Sequence, residues 1–141
     1  MADSFKPGDH LSTFGGNPVS CAASLANIEF MLKSDLASQA LEKGEFLRKE
    51  LEKLAKRHEL IGEIRGKGLM VGIELVRDNQ KTPANTEANK IRDFCREHGL
   101  LPGLGGIYGN VLRIQPPLVI TEEELIEAVK ILDSAFARTC A

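Results

Sequence analysis

The stretch Arg65-Gly66-Lys67-Gly68-Leu69-Met70-Val71-Gly72-Ile73-Glu74-Leu75-Val76 is where the chain changes period. Leu69, Val71, Ile73 and Leu75 alternate with Met70, Gly72, Glu74 and Val76. Successive side chains of a strand point to opposite faces, so this spacing predicts a strand with one strongly apolar face. Ile61 to Arg65 reads as a second strand, joined to the first through Gly66-Lys67-Gly68. So tight a glycine link favours antiparallel pairing.

Upstream of this hairpin the spacing is helical. Leu36, Ala40, Leu47, Leu51 and Leu54 form a stripe, and Glu42, Lys43, Glu45, Arg48, Lys49, Glu52, Lys53 and Lys56 cover the other side as a solvated face. This helix is expected to open at Ser34-Asp35, two capping residues in series. Gly44 inside it should cost about 1 kcal/mol relative to alanine. An earlier helix opens at Asn17-Pro18, because Asn caps well and Pro at the first helical position loses no hydrogen bond. Its inward candidates are Val19, Ala22, Ala23, Ala26, Ile28 and Met31.

Downstream, Thr82-Pro83 is expected to open a helix with Ala88, Ile91, Phe94, Cys95 and His98 as its stripe, ended by Gly99 as a left-handed cap. Leu100-Leu101-Pro102 and Val111-Leu112-Arg113-Ile114 look like short strands flanking a glycine-rich loop. Thr121-Glu122-Glu123-Glu124 forms a capping box for a last helix marked by Leu125, Ala128, Val129, Leu132 and Phe136. The expected fold class is α+β: a small antiparallel sheet of three to four strands with helices packed on it. Residues 1–141 are expected to form a single domain, in which 1–17 are an N-terminal linker and loop.

Composition narrows the function classes. A chain of 141 residues can bury roughly two thirds of its unfolded surface, enough for one core. A net charge of −2 gives no basic field for nucleic acid, and no apolar stretch approaches a membrane span. Cys21, Cys95 and Cys140 are far apart with no CxxC pair, which argues against a disulfide framework or a zinc site and for a reducing cytoplasm. His10, His58 and His98 show no metal spacing, so no metal is expected.

The segment His10-Leu11-Ser12-Thr13-Phe14-Gly15-Gly16-Asn17-Pro18 places a hydroxyl, two glycines and a cap directly before a helix. Free N–H groups and the positive end of the helix dipole favour an anion there. The competing reading is that Gly-Gly-Asn-Pro merely shapes the helix entry, and by themselves the residues favour it over an anion site. Gly103-Leu104-Gly105-Gly106-Ile107-Tyr108 superficially suggests a dinucleotide fingerprint, but Tyr108 stands at the third glycine position and a strand follows, so it reads as a strand-connecting loop. Cys21 reads as a small packed residue and His98 as a cap-region or interface residue.

Several of these segments together resemble one family. Phe5-Lys6-Pro7-Gly8-Asp9-His10 running into Ser12 to Pro18 and Cys21-Ala22-Ala23 is similar to the class III (omega) pyridoxal-phosphate-dependent aminotransferases. So are Arg65-Gly66-Lys67-Gly68-Leu69-Met70 with Gly72-Ile73-Glu74, Leu112-Arg113-Ile114-Gln115-Pro116-Pro117-Leu118, and Thr121-Glu122-Glu123-Glu124-Leu125. The resemblance covers nearly the whole chain, in order, and implies the C-terminal small domain of a fold-type I enzyme. It implies pyridoxal 5'-phosphate as cofactor, bound through Thr13, Phe14, Gly15 and Gly16. In the family this threonine reaches across a dimer interface to the neighbouring subunit's cofactor phosphate.

By the same resemblance Arg113 receives a carboxylate of the amino-acid substrate. A guanidinium at the end of a short strand, followed by Pro-Pro, is rigidly placed for two parallel bonds to a carboxylate. A structural salt bridge is the competing role for it. The implied reaction moves an amino group from an amino acid or omega-amino acid to a 2-oxo acid. The implied partners are the protein's own large domain, a second subunit, and those substrates.

The family's Schiff-base lysine lies a few tens of residues before the threonine loop, and this sequence starts twelve residues before Thr13. No residue here is therefore assigned a catalytic role, and the chain alone is expected to be inactive. Gly105-Gly106-Ile107-Tyr108-Gly109-Asn110 looks closer to the 4-aminobutyrate and alanine–glyoxylate branches than to acetylornithine. Competing expectations are a stand-alone anion- or partner-binding module, or a domain of a related mutase, decarboxylase or phospho-lyase.

Overall fold

The computed structural model describes residues 4, 6, 8, 9 and 11–139, and the chain divides into two compact units, Met1–Asp35 and Leu36–Ala141. Phe5, Pro7 and His10 of the family-like segment, and Cys140, lie outside the described residues.

The first unit carries α1 (Pro18–Lys33). As the sequence predicts, Asn17 is extended at its cap and its side chain accepts a bond from the Ser20 N–H at 3.0 Å, with Pro18 next. The inward candidates are a correction. No residue of α1 is buried, Val19 being 80% exposed, because its unit holds no other helix or strand among the described residues to cover it.

The second unit runs α2 (Leu36–Ala55), β1 (Ile61–Lys67), β2 (Met70–Leu75), α3 (Asn85–Glu97), β3 (Gly103–Gly105), β4 (Val111–Ile114) and α4 (Glu122–Thr139). The strands form one antiparallel sheet in the order β1-β2-β4-β3, as the α+β expectation requires. Val71, Ile73, Leu75, Leu112 and Ile114 face a core completed by Leu47, Leu51 and Leu54 of α2, Ile91 and Cys95 of α3, and Leu125, Leu132 and Phe136 of α4. The three helices therefore cover one face, and the alternate residues of the central strands line the other.

Three boundaries differ from the sequence reading. Ser34 closes α1, its N–H bonding Phe30 O, and Asp35 takes φ 44°, so α2 begins at Leu36 rather than at Ser34-Asp35. α3 begins at Asn85 rather than at Thr82-Pro83, because Thr82 O accepts from the Arg77 N–H and the Ala84 N–H bonds Leu75 O. That segment's backbone is spent extending β2. Leu100-Leu101-Pro102 is no strand; the Leu100 N–H instead caps α3 through Cys95 O, and β3 starts at Gly103.

The other end signals hold. Gly99 has φ 85°, and Thr121 and Glu124 bond each other's N–H groups. Gly44 is more than a tolerated defect. It is buried where α2 crosses the hairpin turn, and a Cβ there would lie 2.1 Å from the Gly68 carbonyl oxygen.

Candidate functional site

Leu112 and Ile114 are buried in the core, so Arg113 between them projects from the opposite face of β4, where it is exposed. The register sets its neighbours. Gly72 of β2 stands opposite it on one side and Gly103 of β3 on the other. A Cβ at Gly103 would lie 3.3 Å from Arg113 Nε and Nη2, and one at Gly105 would lie 3.3 Å from its Cδ and Nε. The guanidinium thus lies across the Gly-Leu-Gly strand.

The acids on that face are engaged elsewhere. Arg65 donates to Glu63 at 2.9 Å and also to Glu74. Arg113 makes no ion pair with any carboxylate among the described residues. Among the described residues Arg113 thus has no partner for the structural salt bridge weighed against substrate binding. What remains is a planar fork of donors, always charged, with its bonds unspent.

The strand holding Arg113 is pinned at its start. Asn110 is 2% exposed, and its side-chain Nδ2 donates to Leu75 O at 2.8 Å while its backbone carbonyl accepts from the Leu75 N–H at 2.9 Å. The backbone bond extends the β2–β4 ladder by one rung, and the side chain gives the Leu75 carbonyl a second donor beside the Ala84 N–H. Neither Asn110 nor the glycine surround of Arg113 was identified from sequence, since cross-strand register joins residues far apart in the chain.

Thr13, Phe14, Gly15 and Gly16 form an exposed loop in the first unit. Ser12 Oγ accepts from the Gly15 N–H at 2.9 Å, and Asn17 Nδ2 donates to Phe14 O at 2.7 Å. Gly16 has φ 74°, a conformation natural to glycine, and leads into the N-terminus of α1. Thr13 makes no hydrogen bond among the described residues. An uncommitted hydroxyl beside a helix N-terminus has the donor chemistry for a phosphate. The loop and Arg113 lie on separate units.

The remaining candidates resolve plainly. Cys21 is exposed rather than packed, and Cys95 is buried, which pushes its thiol up to about 11. His98 caps α3, its Nδ1 2.8 Å from Phe94 O and its ring stacked on Phe94 at 3.9 Å. His58 lies 2.6 Å from Asp133 and stacks on Phe136. Among the described residues no His, Cys, Asp and Glu group suits a metal ion, and no helix is long and apolar enough to cross a membrane.

Known proteins share this architecture. The profile of the family described as "Aminotransferase class-III" matches residues 1–136. An acetylornithine aminotransferase of Caldanaerobacter subterraneus subsp. tengcongensis is 44% identical over 133 residues, which are 94% of this chain and 31% of that protein. The mitochondrial alanine–glyoxylate aminotransferase 2 homolog 2 of Arabidopsis thaliana is 42% identical over 130 residues, 92% of this chain and 27% of that protein. Relatives from both branches thus lie at similar overall identity. An amine transaminase from an uncultivated Pseudomonas species, solved in its PLP-bound form, superposes with a TM-score of 0.83 at 35% identity, covering 93% of this chain and 30% of that one. The chain spans about three tenths of the length of the proteins it matches.

Proposed function

The chain belongs to the class III aminotransferase family, and from that premise we propose that it is the substrate-carboxylate and cofactor-phosphate part of an enzyme moving amino groups from an amino acid or omega-amino acid to a 2-oxo acid. The observation that carries this reading is Arg113, an exposed guanidinium flanked by glycine and, among the described residues, paired with no carboxylate. Such a group binds a substrate carboxylate bidentately, orienting the remainder of the molecule from one end.

Pyridoxal 5'-phosphate is the proposed cofactor, and when bound it supplies the electron sink for chemistry at the amino-bearing carbon. The residues present fit its phosphate: the Thr13 hydroxyl has no hydrogen-bond partner among the described residues, and a Cβ at Gly16 would meet nothing within 4 Å, leaving the backbone open to an anion. Thr13, Phe14, Gly15 and Gly16 would hold that phosphate for a second subunit of a homodimer or larger assembly. A cytoplasmic enzyme, with its own large domain supplying the catalytic lysine, completes the proposal.

Arg113→Ala in the full-length protein that carries this chain tests it. Losing charge-assisted bonds worth about 3 kcal/mol should lower kcat/KM by about 10²-fold for carboxylate-bearing donors. A primary amine without a carboxylate should be largely spared. Equal kinetics of variant and wild type on an amino-acid donor would remove Arg113 from the site.

A further inference from the structure

The β3 strand is an unfavourable sequence for its position. Glycine loses the most freedom on ordering and offers no side chain to pack, yet two of its three residues are glycine. Directly opposed side chains ordinarily stabilise neighbouring strands, but Arg113 faces glycine on both sides. Neither Gly103 nor Gly105 has a positive φ, so the backbone conformation at these positions does not demand glycine. Space does. At both positions the nearest atoms a Cβ would meet belong to the Arg113 side chain, at 3.3 Å.

We infer that Gly103 and Gly105 are specificity-determining residues of the carboxylate subsite, because they let the Arg113 guanidinium lie flat on β3 and so set the depth at which a substrate carboxylate is held. The inference rests on the proposed role of Arg113. A methyl group at either glycine crowds the Arg113 side chain at 3.3 Å and moves its guanidinium outward by a few tenths of an ångström. The far end of a flexible side chain gives way at little cost to the fold. The bidentate pairing does not give way so easily, since two parallel bonds need the fork at one depth and one tilt. The glycines thus act on substrate choice through Arg113 and touch no substrate themselves.

The test compares Gly103→Ala and Gly105→Ala with wild type and Arg113→Ala in the full-length protein. Donors are an amino acid and a primary amine without a carboxylate, and thermal unfolding is followed alongside. Each alanine should raise KM for the amino acid about tenfold with kcat little changed. The carboxylate-free amine and the melting temperature should stay near wild type. Wild-type KM in both alanine variants, with Arg113→Ala impaired, overturns the glycine role and leaves Arg113 in place. An inert Arg113→Ala overturns both. Equal losses on the two donors would show a general distortion of the site, and that result also overturns the inference.

Discussion

Replacing Gly44 by alanine should destabilise the fold, although the substitution places the best helix former inside a helix. Propensity alone predicts a gain of about 1 kcal/mol. Against it, the new Cβ would sit 2.1 Å from Gly68 O, 2.2 Å from its carbonyl carbon and 2.6 Å from its Cα. These are backbone atoms of a tight turn, so none can rotate aside. Reaching ordinary contact at 3.4 Å requires α2 to retreat by about 1.3 Å. Leu47, Leu51 and Leu54 would move with it, and a gap of this order forfeits roughly half of each contact's attraction. Overpacking of this kind costs about 3 kcal/mol. The net loss is therefore about 2 kcal/mol, a fall in melting temperature of roughly 10 °C for a unit of this size. Far-UV circular dichroism melts and urea titrations of the 141-residue chain and its G44A variant measure it. A variant melting at or above the wild-type temperature would refute the close approach of α2 to the hairpin turn.

The bond from His58, and then Arg57, hold the Asp133 carboxylate below its ordinary range. A lowered carboxylate contributes stability above its unfolded value of 3.8 and loses it as pH falls through the lower folded value. D133N should therefore be less stable than wild type near neutral pH, by a margin that shrinks below about pH 4, as read from urea midpoints; a margin independent of pH would refute the link. Burial raises the Cys95 thiol to about 11, so iodoacetamide at mildly alkaline pH should label the exposed Cys21 quickly and Cys95 only on unfolding. Peptide mapping that finds equal labelling rates would contradict the buried position. T13A in the full-length protein should lose pyridoxal phosphate on dialysis with an affinity weakened about tenfold, the value of one hydrogen bond to a charged group. Unchanged retention would take Thr13 out of the phosphate site.

Local patterns carried a large part of this structure. The alternation of Leu69, Val71, Ile73 and Leu75 placed a strand because the period of two is a property of the extended backbone itself. Asn17, Gly99 and the Thr121–Glu124 box marked helix ends because capping bonds span only three or four residues. The same locality let Thr13 to Gly16 and Arg113 stand out as candidates, since their meaning lay in contiguous motifs.

Tertiary structure decided what depended on distant partners. Thr82 to Ala84 look like a helix start, and became extended because the end of β2 claimed their backbone groups. β3 moved to Gly103 because pairing with β4 requires Gly103 opposite Arg113, a register no local propensity for glycine would select. The role left to Arg113 turned on where Glu63 and Glu74 went, and both are held by Arg65 in a neighbouring part of the sheet. Sequence determined which residues prefer which backbone shape. Only the folded sheet determined which side chains share a face, because hydrogen-bonded register places residues dozens of positions apart within one contact distance.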